Sequence, residues 1–235
     1  MAISTNPLAW LRSVQPRRAI ALLLLLLPLT VGAQTVRDLW LSMPPSLAPY
    51  LSTSLRTQCL DFYDMHTDAQ TDNALKGKSR IDTLTSTFLA ATLSKAHTLQ
   101  MKLLPASGSG LGSSMVSGSS SSLSSCDSVL CVVRSWDGPK RDSEVQLFDR
   151  QWKPLQAPLT FSADSFVCRP DTMSEERFSR LVAMLDPIMF SVSLSPVENV
   201  LLVKLSPVVP NPEDEKAIEQ ILVQRKLKWD GKTFK

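Results

Sequence analysis

The chain has 235 residues, 25 Lys and Arg against 22 Asp and Glu, a formal net charge of +3 and a hydrophobic content of 43%. That is the composition of an ordinary globular protein. Lys and Arg are not clustered in the way that releases counterions, so nucleic acid and anionic lipid are set aside as partners.

Residues 1–33 read as a secretory signal peptide: Arg12, Arg17 and Arg18 precede the apolar run Ala19 to Val31, and small residues close it at Val31-Gly32-Ala33. The run holds 13 residues and contains Pro28, whereas a membrane span takes roughly 20 helical residues. Cleavage between Ala33 and Gln34 is expected, with no Cys nearby to take a lipid. Removing three arginines and no acid leaves 22 basic against 22 acidic residues in a mature chain of 202, so the pI of 8.7 belongs to the precursor. The reading is an exported protein of the periplasm or cell surface, without a membrane span after cleavage.

Four cysteines remain, Cys59, Cys126, Cys131 and Cys168. An even number in an exported chain permits two disulfides. If Cys126 to Cys131 is extended, five steps of about 3.3 Å place the two some 17 Å apart, past the roughly 7 Å limit of a bridge. Cys59 then pairs with either, and Cys168 with the other, unless all are free thiols.

Along the mature chain, Val36, Leu39, Trp40 and Met43 recur at helical spacing up to Pro44-Pro45. A second helix is expected from an N-cap at Ser46, with Pro49 in its first turn and a stripe of Leu47, Leu51, Leu55, Cys59 and Phe62. Residues 64–84 are polar and read as a loop. The period then becomes two, with Phe88 to Leu93 and Leu99, Met101 and Leu103 forming a hairpin. Residues 107–125 hold 11 Ser and 4 Gly in 19 positions, a flexible loop inside one domain of residues 34–235.

Val129 to Arg134 and Val145 to Leu147 make a second hairpin around Asp137-Gly138-Pro139. Residues 172–186 read as a helix with Thr172 and Glu175 as a capping box. Phe190 to Leu194 and Leu201 to Leu205 give a third hairpin, and Asn211-Pro212 opens a last helix carrying Ile218, Ile221 and Leu222. Leu227, Trp229 and Phe234 suggest a short closing strand around Asp230-Gly231. The fold class is therefore α+β, amphipathic helices on an antiparallel sheet built from hairpins. Phe88 to Pro105 and Phe190 to Pro207 align without gaps and share five residues, so a duplicated αββ unit and coincidence both stand.

Chemistry is sparse. The one local cluster with metal-binding residue types is Asp61, Asp64, His66, Asp68 and Asp72; an EF-hand register from Asp64 places Ala69 sixth and Leu75 twelfth, which breaks that pattern. A solvated polar loop is the better account. His97, beside Lys95-Ala96, reads as a surface imidazole. No serine elbow and no phosphate-binding glycine motif occurs, and no cofactor is implied. Trp136, Trp152 and Trp229 would make a sugar platform if they shared an exposed face.

The stretches Met43-Pro44-Pro45-Ser46-Leu47-Ala48-Pro49-Tyr50-Leu51, Arg56 with Leu60-Asp61, Asn73 to Ser79 and Gln100 to Pro105 resemble those of a family of exported proteins from Bacteroidales. Asp142 to Asp149, with Trp152 and Leu155, looks like the same family's second hairpin, and 107–125 like an insertion. That family is a domain of unknown function, so the resemblance implies export and a shared fold and no site residues. The reading that follows is a non-catalytic binding or interaction module with a protein or glycan partner of the cell envelope. The alternative is a periplasmic hydrolase whose site assembles only in the fold, metal-assisted at the Asp61 to Asp72 loop.

Overall fold

A computed structural model describes residues 34–107, 128–155, 159, 161–209 and 211–235. The leader 1–33, Cys126 and all but Ser107 of the Ser/Gly segment lie outside the described residues. Helix α1 (Val36–Ser42) begins with a capping box in which Thr35 and Asp38 satisfy each other's backbone N–H, and its Val36, Leu39 and Trp40 are fully buried. Met43 is extended because Pro44 follows it.

Helix α2 (Thr53–Asp64) starts later than the sequence suggests. Residues 44–50, with three prolines, form turns, and Ser52 rather than Ser46 caps the helix by accepting from Leu55 N. Leu47 and Leu51 still reach the core, but from the turns. The two helices lock through Arg56, which donates to Trp40 O at 3.1 Å and Met43 O at 2.5 Å while its own carbonyl accepts from Trp40 Nε1 at 3.1 Å. Backbone carbonyls, not a carboxylate, hold this buried guanidinium.

The loop expected at 64–84 carries two strands instead. Strands β1 (Thr71–Asp72), β2 (Lys78–Leu84), β3 (Phe88–Ser94), β4 (His97–Pro105), β5 (Ser128–Asp137) and β6 (Arg141–Phe148) make one antiparallel sheet in sequence order. The buried positions of β1 and β2 are Thr71, Ser79 and Ile81, so the usual apolar alternation is absent there. Asn73 takes its place as organiser: Oδ1 accepts from Leu75 N and Gly77 N at 3.0 Å each, and Nδ2 donates to Ser79 Oγ and Leu93 O.

The sheet is covered on both faces. Leu89, Leu99, Met101, Leu103, Leu130 and Val132 pack with α1, α2 and Trp152, while Phe88, Leu104, Val129, Cys131, Val133 and Leu147 face the rest of the chain. There the turn Ala163–Phe166 leads to α3 (Glu175–Ala183), then β7 (Phe190–Leu194), β8 (Val200–Leu205), α4 (Pro212–Glu219) and β9 (Arg225–Lys228), the strands forming a second antiparallel sheet. Ser174 caps α3, where Thr172 was expected to; Asn211 caps α4, with Pro212 at its start. Residues Gln34–Lys235 form one compact unit.

The free edge of β7 meets the large sheet through side chains. Leu194 N donates to Gln100 Oε1 at 2.8 Å, Val192 N to Ser143 Oγ at 3.1 Å, and Phe190 N to Asp142 Oδ1 at 3.4 Å. The proposed repeat gains nothing from the registers: Phe88 opposes Lys102, but Phe190 opposes Leu205, one position off the alignment. The hairpins also lie in different sheets. At the chain's end, Trp229 bridges Phe234, and Gly231 has φ +98° with Ser107 Oγ 1.6 Å from where a Cβ would stand. Only glycine fits that turn.

Candidate functional site

The strongest constellation lies at one end of the large sheet, on its helix side. The register β4 against β5 pairs His97 with Trp136 and Leu99 with Arg134, and β5 against β6 pairs Trp136 with Asp142 and Arg134 with Glu144. Helix α1 and the turns after it cover the β4 half. The β5–β6 half stays open, and Trp136 is 39% exposed there.

His97, read from sequence as a surface residue, is 8% exposed. Its Nδ1 hydrogen-bonds the Tyr50 hydroxyl, and its ring stacks on Trp136 at 5.0 Å between centroids and 9° between planes. Nε2 is buried with no partner among the described residues. Burial, followed by the charge of Arg134, lowers the His97 pKa, and burial raises that of Tyr50. The imidazole is thus held neutral, a rigid flat support under the Trp136 indole.

Beside it, Arg134 lies 5.4 Å from the Trp136 ring centroid, within cation–π range. Arg134 Nη2 donates to Glu144 Oε2 at 2.5 Å, and Gln146 Nε2 donates to Glu144 Oε1 at 2.5 Å. Both oxygens of one carboxylate therefore fix the flanking donors. Arg134 and Gln146 continue into a groove of about 350 Å³, walled by Ser46 and Leu47 on one side and Phe148 and Trp152 on the other. Trp152 is anchored by Nε1 to Ser42 Oγ at 3.2 Å and holds the left-handed φ of 64°. A large residue in that region is strained, and the surrounding packing must hold it there.

The three tryptophans do not share a face: Trp152 is 9% exposed, and Trp229 packs with Phe234 and donates to Pro105 O. Of the three, Trp136 is the one exposed to solvent.

The acidic loop is divided rather than gathered. Asp64 pairs with Arg37, which lowers its pKa, and Asp72 pairs with Lys78 at 2.6 Å. Asp61 stays exposed on α2. His66 and Asp68 do line a groove of about 470 Å³ with Cys59, Arg80 and Asp82. Among the described residues no group of three or more His, Cys, Asp or Glu is placed to hold a metal ion.

The cysteines are separated as well. Cys59 belongs to the core under α2 and Cys131 to the core on the opposite face, while Cys168 is exposed near α3; no two of these three are bonded. Cys59 and Cys131 thus stand apart in this fold, and Cys126 lies outside the described residues.

Helices on one face of a six-stranded antiparallel sheet, with a smaller sheet on the other, place the chain in the α+β class. It belongs to the family described as Protein of unknown function (DUF3256), whose profile matches residues 28–234. The structure is similar to that of a domain of an uncharacterized protein from Porphyromonas gingivalis W83, with a TM-score of 0.62, 22% sequence identity, and coverage of 85% of this chain and 98% of that one. That likeness is one of fold. No curated protein matches the chain.

Proposed function

We propose that the chain is an exported module of the cell envelope that binds a partner without catalysis, using the open β5–β6 shelf around Trp136. The observation that carries this is the stacking of an exposed Trp136 on a buried, neutral His97. The 39% of the side chain left in water is apolar surface that a partner can still bury, and here its orientation is fixed before any partner arrives. Export rests on the leader, and among the described residues no helix is long and apolar enough to cross a membrane.

The test is a photo-crosslinking residue at Pro139, exposed on the turn beside Trp136, compared with one at Lys216 on α4, in cells producing the protein. Adducts at 139 and not at 216 are expected. Equal labelling or none at both positions sinks the reading. Mass spectrometry of the exported form checks for a mature N-terminus at Gln34. The alternative, a hydrolase, draws its support from the groove shared by His66, Asp68, Asp82 and Cys59. It requires a turnover that His66→Ala abolishes.

A further inference from the structure

We infer that the shelf takes a neutral, unbranched glycan, laid from the Trp136 face into the groove beside Ser46. This rests on the reading of the Trp136 shelf as a binding surface, and it names the partner's chemistry.

Three features of the shelf select that chemistry. The first is the 39% of Trp136 that stays exposed beside His97 and Arg134, apolar indole surface with an edge donor that suits the C–H face of a pyranose ring. The second is the row beside it. Arg134, Glu144 and Gln146 alternate donor, acceptor and amide, and one carboxylate orients both neighbours. Of the five N–H groups a guanidinium offers, one donates to Glu144, and among the described residues nothing donates to the amide oxygen of Gln146. Sugar hydroxyls donate and accept at once, so such a mixed row matches them.

The third is charge. Arg134 is neutralised by Glu144, and Arg141 by Asp137 at 2.7 Å on the adjoining turn. Among the described residues both of these arginines are paired, so an acidic polymer gains little from either cation. A basic partner would have to compete with Arg134 for Glu144. A neutral polyol meets neither penalty.

The geometry also favours a chain over a single sugar. Trp136 to Val132 spans four residues of strand, about 13 Å at roughly 3.3 Å per residue. The groove of about 350 Å³ then continues past Arg134 and Gln146. Its size falls within the range of sites that hold small ligands.

The probes are maltohexaose, cellohexaose and chitohexaose, titrated into the purified protein by calorimetry and by the indole N–H resonances of its tryptophans. At least one is expected to bind and to shift the Trp136 signal. Trp136→Ala should weaken that binding tenfold or more, and Gln146→Leu severalfold, in variants that circular dichroism and cooperative unfolding show to be still folded. Sodium chloride at 0.5 M should leave the affinity within twofold, because no net charge is exchanged. If none of the hexaoses, nor any neutral glycan of an oligosaccharide array, binds in a Trp136-dependent way, the glycan inference is overturned. A protein adduct at position 139 in cells, without glycan binding, overturns it too while leaving the binding-module reading intact. Loss of both the adduct and glycan binding removes both.

Discussion

Lys102 Nζ lies 2.6 Å from the carbonyl oxygen of Ser195, 93 residues further along the chain, and 2.7 Å from that of Glu198. The ammonium passes from the large sheet into the β7–β8 turn, with the Phe88 ring 6.0 Å away. The residue is 2% exposed, and burial lowers its pKa. Replacing Lys102 with Met keeps the stem's packing and strands two carbonyls. Each unmet polar group costs about 1–3 kcal/mol, less where water can enter as it can at an exposed turn. A loss of about 1–3 kcal/mol in urea unfolding is therefore expected. Lys204→Met, at the aligned but exposed position, should stay within about 0.5 kcal/mol.

Asn73→Asp tests the turn that organises β1 and β2. The substitution keeps the acceptor for Leu75 N and Gly77 N but aims a carboxylate oxygen at Leu93 O, now 2.8 Å from Nδ2. At neutral pH we expect a loss of about 1–3 kcal/mol. The new carboxyl's folded pKa lies above its unfolded one, so the deficit narrows as pH falls through that folded value. A pH-independent deficit would refute this account.

His97 gives the wild-type protein its own pH dependence. Its folded pKa is lowered below the ordinary 6.5, first by burial and then by Arg134. The unfolded chain therefore binds the proton first, and stability is lost as pH drops below about 6.5, by at most about 1.4 kcal/mol per pH unit for one site. Protonation would also place a second N–H in a site where Nε2 has no partner among the described residues. The groups facing it are Tyr50 from the turns, Trp136 and Arg134 from β5, and Glu144 through Arg134. In His97→Phe the slope between pH 6.5 and 5 should flatten, measured against wild type so that other titrations cancel.

Thiol labelling should follow burial. Native protein treated with iodoacetamide is expected to modify Cys168 and to spare Cys59 and Cys131, whose thiols are buried and raised in pKa. Both react once guanidinium unfolds the chain. Labelling of Cys131 under native conditions would contradict its position between the sheets.

Much of this fold was legible in the residues. Alternation marked the hairpins β3–β4, β5–β6 and β7–β8, and Asn211-Pro212 marked α4, because in each the local signal and the packed state agree. Strands β1 and β2 escaped because Thr71 and Ser79 occupy buried positions that apolar residues usually fill. The start of α2 moved because Pro44, Pro45 and Pro49 favour turns and Ser52 offers a second cap. The site was hidden for a different reason. His97 sits next to the exposed Lys95-Ala96 turn, and only the cross-strand register sets it under Trp136 and sets Arg134 against Glu144. No spacing within one strand encodes that meeting.

The side-chain closure of β7 has a consequence for how the protein behaves in company. A three-stranded sheet has two edges, and either can recruit a foreign strand. Gln100, Ser143 and Asp142 occupy the donors along one; along the other, Lys228 exchanges backbone hydrogen bonds with Lys235, and Arg225 and Lys226 set charged side chains, the latter paired with Glu198. Neither margin offers an open, uncharged ladder. The small sheet is guarded against polymerising with its own kind.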